Sequence, residues 1–152
     1  MSHVVATKIV VHDLDALDAA CKELGLTLVR GQKTWSWWGT WANDYSSTDA
    51  AYRRGIDTSQ YGKGDHAIKV PGTTWEIGVI KNTGKEGGYR LAFDFYGSSG
   101  QVITQAVGGN DANKLMQLYG KHKVLLEAKK KGWLASVKTT KNGGLQVTLS
   151  GM

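Results

Sequence analysis

The sequence has one cysteine and one proline in 152 residues. A lone Cys21 excludes a disulfide framework and a cysteine-built zinc site. It lies on an apolar stripe and reads as core, not as a reactive thiol. Phenylalanine is scarce, two residues against six tryptophans and six tyrosines. No run approaches the ~20 apolar residues of a membrane span. The first acidic residues also arrive before the apolar core of a signal peptide could form. A cytoplasmic protein with no membrane partner is therefore expected. Catalytic motifs are lacking as well. There is no G-x-x-x-x-G-K-S/T, no G-x-G-x-x-G opening a helix and no G-x-S-x-G. His3, His12, His66 and His122 are far apart, with no His-x-x-x-His spacing. No metal, no cofactor and no enzymatic activity are expected.

With 41% hydrophobic residues the chain can bury a core, and its length fits one domain over 1–152. The net charge is +6. Residues 1–29 contribute −2, residues 30–74 +2, residues 75–110 zero and residues 111–152 +6. The basicity lies in the last third. Those lysines either solvate a helix and a hairpin or draw in a phosphate-bearing partner.

Periodicity places a strand over Val4–Val11 and a helix capped by Asp13, with Leu14, Leu17, Cys21 and Leu24 on one face and Gly25 closing it. A short strand follows to Arg30. Residues 31–65 form a tryptophan-rich insertion with little periodicity, holding one short helix around Ser47–Arg54. Strands are expected at His66–Val70, Thr74–Lys81 and Tyr89–Tyr96. Gly97–Gly109 reads as a connection with a short apolar element, Val102 to Val107. Asn110 is placed as the cap of a long helix over about 111–131, with Gly132 ending it. A hairpin over Trp133–Thr140 and Leu145–Ser150 turns at Asn142-Gly143-Gly144. This order predicts an α+β fold: a small antiparallel sheet with two helices on one face, a ferredoxin-like variant with a C-terminal β-hairpin. Such a sheet leaves surface to cover, so a homo-oligomer is expected.

The insertion carries most of the distinctive chemistry. Trp35, Trp37, Trp38, Trp41, Tyr45, Tyr52, Tyr61 and Trp75 are eight of the fourteen aromatic residues. Lys33, Arg53, Arg54, Lys63 and Lys69 are interleaved with them. A flat ring can stack on a nucleobase, and a guanidinium forks onto phosphate. The candidate ligand-binding residues are Trp35, Trp37, Trp38, Trp41, Tyr45, Tyr52, Arg53, Arg54, His66 and Lys69. The competing reading is a second small core, in which tryptophans pin a long loop and their N–H groups find carbonyls. Because Trp35, Trp37 and Trp41 alternate in part with polar residues, some rings must face inward. Asp65-His66 cannot easily form a dyad, since neighbours on a strand point to opposite faces. Asp94, between two phenylalanines, should point away from the core. His122 sits on an apolar helix face and reads as a satisfied core histidine.

The ends of the chain carry a resemblance. Met1-Ser2-His3, Leu14-Asp15-Ala16-Leu17, Ala20-Cys21 and Leu24-Gly25-Leu26 are similar to the start of a small uncharacterised domain family. That family includes a plastid-encoded algal reading frame and bacterial and phage proteins. Leu118-Tyr119-Gly120, the run Leu126–Trp133 and Asn142-Gly143-Gly144 resemble its close. In the middle, Trp38-Gly39, Asp44-Tyr45, Tyr61-Gly62-Lys63, Asp65-His66-Ala67-Ile68 and Val70-Pro71-Gly72 resemble the phage branch. The resemblance implies a fold but no shared activity.

Three functions fit these observations. The first is non-enzymatic binding of a phosphate-containing small molecule, a nucleotide or nucleotide-derived signal. By analogy with small phage proteins that sequester immune signals, its use would be counter-defence. The second is single-stranded nucleic-acid binding, with the rings as a stacking platform. The third is a structural protein with a tryptophan-rich subunit interface.

Overall fold

The computed structural model describes residues 4–7, 9–37, 62–82 and 84–151. Its elements are β1 (Val4–Ala6), α1 (Leu14–Glu23), β2 (Thr27–Arg30), β3 (His66–Lys69), β4 (Glu76–Lys81), β5 (Tyr89–Asp94), α2 (Gly97–Val107), α3 (Asn113–Lys131), β6 (Leu134–Thr139) and β7 (Leu145–Ser150). β1 to β5 form one antiparallel sheet in the order β1-β5-β4-β3-β2, and β6 and β7 form a separate hairpin. The α+β class, the antiparallel sheet and the C-terminal hairpin are as expected. The described helices do not meet the membrane-crossing requirement for length and apolar character.

Strand order departs from the ferredoxin-like arrangement. There the strands joined by a helix are split by one strand. Here β1 and β2, on either side of α1, lie at opposite edges with three strands between them. The cause is the meander from β2 to β5, in which each strand pairs with the next. β1 is also shorter than predicted. Val11 rejoins the sheet only through an isolated bridge to Tyr89.

Alternation along the strands divides the core. Ile68, Ile77, Val79, Leu91 and Phe93 face the helices and join Leu17, Cys21, Ile103, Leu115 and Tyr119 in one buried cluster. Ala6, Ala67 and Ala92 face the other way, under Trp35 and Trp37.

α1 begins as predicted, with Asp13 Oδ1 accepting from the Ala16 N–H at 3.1 Å. Gly25 follows its C-cap at φ +75°. Three helices are described, not two. Gly97–Val107 is α2, because burial of Ile103 and Val107 outweighs the low helix propensity of its glycines. Gly100 is required there, since a Cβ would run into the Phe95 backbone. Asn110 does not cap α3. That place is taken by Ala112, left-handed at φ 53° and buried in the core. Gly132 ends α3 at φ 71°, as expected. Ser47–Arg54 lies outside the described residues.

Candidate functional site

Trp35 and Trp37 alternate along an extended segment, so both rings fall on the side of the sheet opposite α1, α2 and α3. Their centroids are 6.2 Å apart. They are 2% and 1% exposed. The strands beneath offer the small residues Ala6, Ala67, Ala92 and Gly78, with Ile80 packed beside them. The Trp35 indole N–H donates to the Lys63 carbonyl at 3.1 Å. These two rings form a second core, so neither is an open stacking platform. Their burial departs from the open stacking faces expected of ligand-binding rings, and the N–H to carbonyl contact of the competing reading is seen for Trp35.

The same packing fastens the ends of the insertion. Trp35 N donates to Gly62 O at 2.9 Å, and Gly64 N donates to Lys33 O at 2.8 Å. Thr34 and Lys63 form an antiparallel bridge. Next to them, Glu76 N donates to Ser36 O at 2.9 Å. The Glu76 carboxylate accepts in return from Ser36 N at 3.1 Å and from Gln32 Nε2 at 3.0 Å. The chain thus leaves the described structure at Trp37 and returns at Gly62 from one braced stem. Trp38, Trp41, Tyr45, Tyr52, Arg53 and Arg54, all predicted to bind ligand, lie outside the described residues.

Lys69 and His66 are separated. The register pairs His66 with Val79 and Ala67 with Gly78. His66 therefore shares the helix side with Val79, and Lys69 the tryptophan side with Ala67. One small ligand cannot meet both. His66 Nδ1 accepts from Gly31 N at 2.9 Å. Its Nε2 is buried without a hydrogen-bond partner among the described residues, and the Tyr89 ring lies edge-on at 5.2 Å. Burial holds the imidazole below its usual 6.5; Asp65 opposes this, and Lys33 and Arg30 reinforce it. His66 thus lies on the opposite sheet face from Trp35, Trp37 and Lys69, apart from the other predicted ligand-binding residues that are described. His122 is no core histidine. Its Nε2 lies 2.6 Å from Glu23 Oε2, joining α3 to α1, and Lys121 Nζ meets the same carboxylate at 2.8 Å. Asp94 is buried on the tryptophan side and accepts from Tyr96 N at 2.9 Å.

Lys69 lines an open cleft of about 460 Å³ with Ser36, Thr73, Thr74, Trp75 and Glu76 among its walls. Lys69 is exposed and makes no ion pair among the described residues. The Thr73 Oγ1 accepts from Trp75 N at 3.1 Å, which leaves its own O–H to donate elsewhere. Glu76 is committed to the stem. One cation and two threonine hydroxyls are a donor set for phosphate. Trp75 is 5% exposed, so it offers the cleft little surface for stacking.

A larger cleft of about 590 Å³ lies across the sheet, where His12, Arg30, Tyr89, Lys123 and Lys130 face Asp13, Asp15 and Glu127. Arg30 is already taken by Asp15 at 2.6 Å, and Asp13 caps α1. Its three acids balance its three lysine and arginine side chains; in the smaller cleft Glu76 lies across from Lys69 in the same way, but its carboxylate is engaged by Gln32 and Ser36. Sequence reasoning missed the larger cleft, and no motif marks it, since its residues come from four separated stretches of chain. Among the described residues no cluster of histidine, cysteine and carboxylate groups could hold a metal ion. No family model, curated protein or solved structure matches the chain.

Proposed function

We propose that this protein binds a nucleotide or nucleotide-derived signal without converting it. The Lys69 cleft takes the phosphate end, with Thr73 and Thr74 as further donors. The observation that carries the reading is the braced stem. The two ends of the segment bearing Trp38, Trp41, Tyr45, Tyr52, Arg53 and Arg54 are fastened to each other, and the outgoing end, at Ser36, lines that cleft. A ring from this set would stack on the base, and Arg53 or Arg54 would fork onto phosphate. Binding without turnover suits sequestration, the use that the phage resemblance suggests.

Native mass spectrometry of protein purified from cells, followed by calorimetric titration with ATP and a cyclic dinucleotide, tests this. The expected result is saturable binding with a mild salt dependence. Absence of binding to either probe and no retained small molecule would overturn it. Binding only to oligonucleotides, collapsing steeply as salt rises, would replace it with the single-stranded nucleic-acid reading.

A further inference from the structure

The β6–β7 hairpin stands apart from the main sheet and packs on α3. Its register sets Ala135 opposite Leu149, Val137 opposite Val147 and Thr139 opposite Leu145. One face is therefore apolar but for Thr139, while Ser136, Lys138, Gln146, Thr148 and Ser150 occupy the other with the exposed Leu134 at its end. Part of the apolar face stays in water, with Val137 40% and Leu149 38% exposed. A two-stranded hairpin alone is marginally stable. Natural edge strands are usually guarded by lysine, proline or a bulge. Over Leu145–Ser150, β7 carries no charged residue and no proline.

The direction of its backbone groups follows from the turn. Thr140 N donates to Gly144 O at 2.9 Å. Alternation along an antiparallel ladder then points the Gln146 and Thr148 backbone groups at β6, and those of Leu145, Val147 and Leu149 outward. The outward groups make no hydrogen bond among the described residues.

We infer that this edge pairs antiparallel with β7 of a second copy of the chain, centred on Val147, to give a four-stranded sheet across a twofold axis. The edge itself points to a copy of this chain. From Leu145 to Leu149 its polarity reads the same in both directions. Centred pairing sets Val147 against its symmetry mate, Leu145 against Leu149 and Gln146 against Thr148. Apolar meets apolar, neutral meets neutral, and each outward N–H finds an outward C=O. The contact is self-complementary and closes at two copies. Lys138 is one strand removed from the seam. A slip of one residue would set polar side chains into the apolar face, so the register is specified. This gives the expected homo-oligomer a location, and it does not depend on the ligand reading.

Light scattering at micromolar concentration should report a particle of twice the 16.5 kDa chain mass. The double substitution Gln146→Glu with Thr148→Glu alters two exposed side chains, and the new carboxylate at 146 faces Lys138 within its own hairpin. Across the seam it sets carboxylate against carboxylate. This variant should be monomeric and should keep the circular dichroism of the folded chain. Gln146→Lys with Thr148→Lys should behave likewise. An equimolar mixture of the two should recover the dimer, because opposite charges then meet at every seam position. A monomeric wild type would overturn the inference. So would a glutamate variant that remains dimeric, or a mixture of folded variants that stays monomeric.

Discussion

The Trp35 indole lies flat on Gly78, where a Cβ would sit 2.6 Å from the ring carbon Cε2. The tryptophan and the missing side chain are two halves of one contact. Gly78→Ala should therefore destabilise the fold by about 1–3 kcal/mol through overpacking. In a Trp35→Ala background the same substitution should cost little, since the ring it strikes is gone. Urea unfolding of the two singles and the double checks this. Equal costs in both backgrounds would show that the strain at 78 has another source.

Tyr119 ties α3 to the entrance of α1. Its hydroxyl oxygen accepts from His12 N at 3.0 Å and from Asp13 N at 3.2 Å. Tyr119→Phe keeps the buried ring and removes the acceptor for both donors. A loss of about 1–3 kcal/mol is expected, because partly buried N–H groups are left unpaired. For a chain of this size that is about 2–4 °C of melting temperature per kcal/mol. An unchanged midpoint would mean that water replaces the hydroxyl.

His66 gives the stability a pH dependence of fixed sign. Its imidazole is held below 6.5 in the folded chain, chiefly by burial. The unfolded chain therefore takes up this proton first. Stability from this group is complete above 6.5 and is lost as the pH falls below 6.5 toward the lowered folded value. His66→Asn preserves an acceptor for Gly31 N and removes the titration. Between pH 7 and 5 the wild type should lose more melting temperature than the variant. Parallel slopes would show that His66 is protonated as easily folded as unfolded.

Much of this architecture was legible in the residues, for local reasons. Asp13 before an apolar 3-and-4 spacing, Gly132 after a lysine turn, and Asn142-Gly143-Gly144 between alternating runs each specify an element through short-range chemistry. Strand order was not legible, because pairing of β1 with β5 joins residues some ninety positions apart. The α2 helix was hidden by its glycines, whose low propensity is overridden only once Ile103 and Val107 find the core. The roles of Trp35 and Trp37 were half visible. Their alternation pointed inward, but the surface receiving them is made of Ala6, Ala67, Gly78 and Ala92, drawn from four strands. The opposite facing of His66 and Lys69 was implicit in strand alternation, three positions apart. The cleft around Lys69 depends on Ser36 meeting Glu76, a contact that no local pattern announces.

The central claim is that the sheet face bearing the braced stem binds a nucleotide through Lys69. Calorimetric titration of ATP into the wild type, Lys69→Ala and the double variant Lys123→Ala with Lys130→Ala tests it most directly. Loss of a charge-assisted contact to phosphate is worth about 1.5–3 kcal/mol, or roughly ten- to a hundredfold in Kd. The account predicts that weakening for Lys69→Ala, with affinity unchanged when the lysines of the opposite cleft are removed. Unchanged affinity in Lys69→Ala, with binding lost in the double variant, would contradict it and move the site across the sheet.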